Sequence, residues 1–226
     1  MTARTRPRQI LLTGFEPFGG DAVNPSWLVA QALHGEVIAG ARVQALCLPC
    51  VFGQALTVLH EALLQQRPQV VLALGLAAVR LELSVERLAV NVDDARIADN
   101  AGAQPIDEPV SAGGPAAYFS TLPIKAIVAA LQQAGLPAAV SQTAGTFVCN
   151  HVFYGLMRQL HQLRRHRTVR AGFMHLPLLP AQAQAAGQPG MELHAQVQGV
   201  RVALLTTLQM KLQKAADLRR GGGSIA

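Results

Sequence analysis

An α/β fold, a three-layer α/β/α sandwich around a mostly parallel central sheet, is predicted by three features of this 226-residue chain. Strand-like and helix-like segments alternate throughout. The strand-like ones are short apolar runs, several of them stopped by glycine, as in sheets covered on both faces. Half of the residues are hydrophobic, enough for a substantial core. The length fits one domain, read as residues 1–226 with flexible ends at 1–8 and 221–226.

Each element follows from its residues. Gln9 to Thr13 is a short buried run ended by glycine, a first strand. Gly14-Phe-Glu-Pro-Phe-Gly-Gly20 is then a loop, with neither the Gly-Lys-Ser/Thr ending of a phosphate loop nor dinucleotide spacing. Its two phenylalanines either plug the core beneath the loop or line a pocket. Asn24-Pro25-Ser26 starts a helix that Trp27 to Leu33 continues, with Gly35 just past its end. Ala41 to Leu48 is a second strand, Phe52 to Gln66 a second helix, and Val70 to Leu74 a third strand ending at Gly75. Leu81 to Asn91 alternates loosely and reads as a strand whose polar face bears Glu82, Ser84 and Glu86. Residues 100 to 117 lack periodicity, and a loop that long is functional or mobile. Leu122 to Ala134 is a helix closed by Gly135, and Leu136 to Ser141 a strand. After a loop with Gly145, a helix runs from Cys149 to about His166. Thr168 to His175 is a strand stopped at Leu176-Pro177. Residues 178 to 190 form a linker, and Glu192 to Leu218 the last helix.

The net charge of +6 is concentrated at Arg4, Arg6 and Arg8, at Arg164 to Arg170, and at Arg219-Arg220, which reads as solvated termini and a helix end. Nothing forms a basic face with aromatic or groove-reading residues, so nucleic acid is not an expected partner. No apolar stretch has transmembrane length, and Ile10 to Leu12 is too short for a signal peptide. Three cysteines, Cys47, Cys50 and Cys149, argue for a reducing compartment rather than a disulfide framework. Cys47-Leu-Pro-Cys50 has the spacing of a redox or metal half-site. However, no second Cys/His pair stands out and Cys47 lies inside a strand-like run, so chance spacing is the preferred reading.

Cys149 opens its helix, where backbone N–H groups and the helix dipole favour negative charge and lower a thiol pKa. A cysteine hydrolase then needs a base. Of seven histidines, His34, His60, His161, His166 and His194 sit in helical or near-terminal surface contexts. His151, two residues past Cys149 on the same helix, faces another way. His175, at the end of a buried strand, is the candidate. The Gly14, Gly75 and Cys149 loops and His175 all follow strands, so they are expected on one rim. Glu86, in an otherwise apolar segment, is the candidate group to orient the imidazole, its alternative being a salt bridge to Arg87 or another arginine. The Cys149 backbone N–H and a cation such as Arg96 are candidates for oxyanion stabilisation.

These residues lie in segments that resemble the pyroglutamyl peptidase I family. One is Leu12-Thr-Gly-Phe15-Glu-Pro-Phe18-Gly-Gly with Asn24-Pro-Ser-Trp27. A second is Leu83-Ser-Val-Glu86-Arg-Leu-Ala-Val-Asn91 with Asp94-Ala-Arg96-Ile-Ala-Asp99-Asn100. A third is Ser141-Gln-Thr-Ala-Gly-Thr-Phe147-Val148-Cys149-Asn150, followed by Gly172-Phe-Met-His175-Leu-Pro. Gly113-Gly-Pro-Ala-Ala-Tyr-Phe-Ser-Thr-Leu-Pro-Ile124 adds to them. The resemblance implies a thiol exopeptidase that removes an N-terminal pyroglutamyl residue from peptides and amides. It also implies a cytoplasmic enzyme, usually homotetrameric, with no metal and no cofactor. Carried over, Cys149 is the nucleophile, His175 the base and acid, Glu86 the orienting acid, and Arg96 belongs to the oxyanion region. Phe15, Phe18, Ile97, Phe147 and Val148 match positions lining the lactam pocket.

Some positions depart from the family pattern. Leu76 stands in place of Gln, which implies a lactam contact made by the main chain, and Ala78-Val79 stand in place of Gly-Gly. Cys50 replaces a frequent Thr, and Ala98 a usual Pro. A pocket that hydrogen-bonds both the lactam N–H and C=O rejects proline, which leaves a polar group unpaired. A different thiol amidohydrolase would call for a charged specificity residue, and a binding homologue with altered or lost activity is the other alternative.

Overall fold

The computed structural model describes residues 8–210, 217–219 and 221–222. Its elements are β1 (Arg8–Phe15), α1 (Pro25–Ala32), β2 (Val37–Ile38), β3 (Ala41–Leu48), α2 (Gln54–Gln66), β4 (Val70–Leu76), β5 (Leu83–Glu86), β6 (Leu88–Val90), β7 (Ala117–Phe119), α3 (Ile124–Gln133), β8 (Ala138–Ser141), α4 (Val148–Gln162), β9 (Arg170–Leu176), α5 (Pro180–Ala185) and α6 (Leu193–Gln209). Seven strands form one sheet in the order β2-β3-β1-β4-β9-β5-β8, and β6 pairs with β7 in a separate ribbon.

Successive side chains of a strand point to opposite faces. In β1 that sends Ile10 and Leu12 into a core with α1, α3 and α6, and Leu11 into a core with α2 and α4. All three are fully buried. This two-sided burial explains why β1, β4 and β9 read as unbroken apolar runs, and it produces the expected three layers. β1, β3, β4 and β9 run parallel. β5 is antiparallel to β9 and parallel to β8, so those two strands run the other way.

Several sequence expectations are corrected here. The segment Leu81–Asn91 is not one strand with a wet face. It splits at Arg87, whose N–H donates to Ser141 O and whose carbonyl accepts from Ser120 N, turning the chain from the main sheet into the ribbon. Ser84 and Glu86 are buried, because β5 sits between β8 and β9. The expected linker 178–190 contains α5. Among the described residues the last helix runs to Gln209, with Met210 extended, and residues 211–216 of the stretch expected to reach Leu218 lie outside them. The end 1–8 expected to be flexible lies outside the described residues up to 7, while Arg8 opens β1. At the other end, 223–226 lies outside the described residues, and the Gly222 carbonyl accepts from Arg87 and Gln142. Asp217 accepts from the N–H groups of Lys125 and Ala126 at 2.9 and 3.0 Å, capping α3 from a distant part of the chain.

The start of α1 shows how a turn near the site is held. Asn24 Oδ1 accepts from the Ser26 N–H and hydroxyl, a cap of about 1 kcal/mol. Ser26 Oγ in turn accepts from Phe15 N at 2.9 Å. A Cβ at Gly14 would lie 2.4 Å from Ser26 O, so glycine lets β1 pass this close to the helix.

Candidate active site

Cys149 is the second residue of α4. The next residue anchors that helix start. Asn150 Oδ1 accepts from Val90 N at 2.9 Å, and its Nδ2 donates to the carbonyls of Val90 and Val92 at 2.9 and 3.0 Å. The loop before it is tied to the segment bearing Arg96: Asp94 N donates to Thr146 O, and Thr146 Oγ1 donates to Asp94 O.

The Cys149 thiol lies over Gly75. A Cβ there would sit 2.7 Å from Sγ and 2.8 Å from Phe173 Cζ, so a larger residue would displace the thiol or the ring. Gly75 is the register partner of His175 on β9, one strand spacing of about 4.8 Å away. Cys149 and His175 are thus brought together, but not because their loops share one rim. β8 runs opposite to β4 and β9, so the chain leaving Ser141 heads away from that rim, and residues 142–147 bring it back to the face where α4 starts.

Glu86 is fully buried and His175 4% exposed. His175 Nδ1 donates to Glu86 Oε1 at 2.7 Å. The same oxygen accepts from Arg80 Nη1 at 2.5 Å, and Arg80 Nη2 donates to Thr143 O at 2.8 Å. Glu86 Oε1 is thus shared between the His175 imidazole and a salt bridge to an arginine, Arg80. Arg87 instead donates to Gln142 Oε1. Among the described residues, His175 Nε2 has no hydrogen-bond partner, and Glu86 Oε2 has none either.

Burial pushes the Cys149 thiol up, with Cys50 and Glu86 adding to the rise and Arg80 opposing it. The direction is opposite to the one expected from the helix start, burial being the largest cause. Burial also pushes His175 below its usual value, against the hydrogen bond and charge of Glu86, and Arg80 pushes it further down. Both shifts favour a resting pair of neutral thiol and neutral imidazole. Cys50, buried beside this region, is pushed up to about 12 by burial and by Glu16 and Asp99.

The candidate pocket residues fall into two groups. Phe15 and Val148 are in the core, Phe15 with its ring centroid 6.5 Å from that of Phe173. Phe18, Phe147 and Leu76 are half-buried, and Ile97 is exposed. The Phe18 and Phe147 rings are 6.2 Å apart, and Phe147 meets Phe52 edge-on at 5.4 Å. Arg96 is exposed, with no side-chain hydrogen bond among the described residues.

Sequence reasoning missed the support behind this wall. His151 is buried, not idle: its Nδ1 is paired with Asp93 Oδ2 at 2.7 Å, its Nε2 accepts from Gly53 N at 3.0 Å, and its ring meets Phe52 edge-on at 5.2 Å. Asp99 accepts from Phe52, Ala101 and Ala103 N–H groups. Burial raises its carboxyl, but these backbone donors with Gly102 hold it below the usual value. A signal for His151 existed in its place inside an apolar helix face, Val148 to Leu160. Arg80 carried no such signal, since its partner is set by tertiary folding. Among the described residues, no helix is long and apolar enough to cross a membrane, and no three His, Cys, Asp or Glu residues are grouped to hold a metal ion.

Known proteins resemble this chain in sequence and in fold. The family model described as pyroglutamyl peptidase matches residues 8–210. The chain is 56% identical over 216 residues to a pyrrolidone-carboxylate peptidase of Klebsiella pneumoniae (strain 342), covering 95% of this chain and 98% of that one. It is 56% identical over 219 residues to one from Cupriavidus taiwanensis, covering 96% and 98%. Among solved structures, the pyroglutamyl peptidase I of Bacillus amyloliquefaciens superposes with a TM-score of 0.87 at 43% identity, over 91% of this chain and 97% of that one. A variant pyrrolidone carboxyl peptidase from P. furiosus gives 0.86 at 39% identity, over 89% and 98%. With its α/β sandwich and its match over almost the whole length, the chain belongs to the pyroglutamyl peptidase family.

Proposed function

We propose that this chain is a cysteine exopeptidase that hydrolyses the amide bond after an N-terminal pyroglutamyl residue. The observation that carries the reading is the seat of Cys149 over Gly75, beside an imidazole whose Nδ1 is held by Glu86 and whose Nε2 is free. His175 Nε2 takes the thiol proton as sulfur bonds to the scissile carbonyl carbon. The imidazolium gives that proton to the leaving amine as the C–N bond breaks. Water then loses a proton to His175 as its oxygen bonds to the acyl carbon, and the C–S bond breaks to release pyroglutamate while the imidazolium returns that proton to the Cys149 sulfur. The Cys149 backbone N–H and Arg96 stabilise the oxyanion. Phe18, Phe147, Leu76 and Ile97 line the ring pocket, with Phe15 and Val148 behind them.

The family resemblance further supports a single-domain, cytoplasmic enzyme that assembles as a homotetramer and needs no cofactor. Light scattering in solution tests the assembly. For the activity, a pyroglutamyl arylamide is the probe. Release of the amine by reduced protein, and its loss on thiol alkylation and in Cys149→Ala, is the expected result. No release across neutral pH overturns the reading, and preferential cleavage of prolyl or alanyl amides overturns the pocket assignment.

A further inference from the structure

We propose that Arg80 is a positioning residue of the reaction, one guanidinium tying the Glu86 carboxylate to the carbonyl of the loop that delivers Cys149. The inference rests on the Glu86–His175–Cys149 reading above. Arg80 has two separate contacts, Glu86 Oε1 and Thr143 O, made through different nitrogens. It sits one turn past Leu76, with Arg80 N donating to Ala77 O. One side chain therefore joins the substrate-side loop, the acid and the nucleophile loop. The planar fork of Arg makes two such contacts at fixed angles, which Lys does not reproduce.

Its charge has a second consequence. A buried carboxylate alone beside an imidazole favours the imidazolium, because the pair then neutralises itself. An imidazolium carries a proton on Nε2 and is no longer an acceptor for the thiol proton. Arg80 shares the same oxygen as His175, so Glu86 has a cation without drawing a proton onto the ring. The charged and titratable groups around His175 are Glu86 from β5, Arg80 from the β4–β5 loop and Cys149 from α4. Removing the guanidinium raises the basicity of His175.

The test is the pH profile of kcat/KM on a pyroglutamyl arylamide, with thermal melting of each variant. Arg80→Gln is expected to move the acid limb up by roughly one pH unit and to lower kcat by on the order of 10²-fold. Arg80→Lys, which keeps a cation, is expected to hold the limb near that of the unmodified enzyme while kcat falls through the lost Thr143 contact. Arg87→Gln, beside Glu86 but bonded elsewhere, is expected to leave the limb in place. A folded Arg80→Gln with unmoved limb and kcat overturns the proposal, as does an equal shift in Arg87→Gln. If Arg80→Gln does not fold, Arg80→Lys decides: unchanged kcat, KM and limb overturn the coupling. Glu86→Gln separates the two layers. Its inactivity beside a silent Arg80→Gln removes only the role of Arg80, whereas an active Glu86→Gln removes the triad reading itself.

Discussion

Two buried imidazole–carboxylate pairs stand close together in this molecule, and both have an N···O distance of 2.7 Å. His175 pairs with Glu86, and His151 pairs with Asp93. They differ at the other nitrogen. Gly53 N–H occupies Nε2 of His151, so that ring is fully used. The Nε2 of His175 is free, and the Cys149 thiol lies over Gly75, the register partner of His175. A carboxylate partner orients an imidazole in both places, but only a vacant nitrogen beside a nucleophile makes a base. On the proposed mechanism the same motif serves as scaffold in one place and as chemistry in the other.

The comparison breaks most sharply under paired substitution. His175→Asn is expected to reduce kcat/KM by about 10³-fold or more, with folding retained, whereas His151→Asn keeps turnover. An assay of both purified variants on a pyroglutamyl arylamide, with circular dichroism, checks this. Equal losses in the two would erase the distinction.

Next in size is Gly75→Ala, which pushes its methyl into Cys149 Sγ and Phe173. We expect on the order of a 10²-fold loss of kcat and slower alkylation of Cys149, read by mass spectrometry. A fully active Gly75→Ala would mean that the thiol does not sit where described.

The pH dependence sharpens the contrast further. His175 titrates below 6.5, so its Nε2 stays a base as pH falls through 6.5, and the acid limb of kcat/KM lies below that value. Between those two points the unfolded chain binds more protons. The contribution to stability is therefore complete above 6.5 and is lost as pH falls through the folded value. A limb above 6.5 would contradict the neutral resting pair.

The smallest effect belongs to the scaffold pair. His151→Asn leaves Gly53 N–H and Asp93 without their partner, a cost of about 1–3 kcal/mol. The expected signature is a lower melting temperature with KM raised more than kcat is lowered, since Phe52 leans on that ring and Phe147 on Phe52. A change in kcat alone would give His151 a different role.

Much of this architecture is legible in the chain. β1, β4 and β9 are apolar on both faces, and such runs have few other solutions. Cys149, His175 and Glu86 stand out because a thiol, an imidazole and a carboxylate are unusual where each sits. The direction of β5 and β8 is not legible, because it depends on β9, a strand far later in the chain, pairing between β4 and β5. The thiol pKa is not legible for a related reason: the helix start is local, but burial and the charges of Cys50 and Glu86, which push it up, are set by residues distant in sequence. Arg87, next to Glu86 in the chain, is the arginine the sequence offers first as its partner, whereas Arg80 meets it in the fold, because partner choice among arginines is made only by the folded chain.

The antiparallel pairing of β5 with β9 has one more consequence. Ser84 is the register partner of His175, and Glu86 reaches the imidazole from two residues further along β5. A slip of one residue would turn Glu86 to the opposite face of the sheet while leaving the backbone ladder and the helices nearly intact. Such a misregistered chain would look native by circular dichroism yet turn over no substrate. In refolding experiments, recovered activity therefore measures strand register, a stricter property than recovered secondary structure.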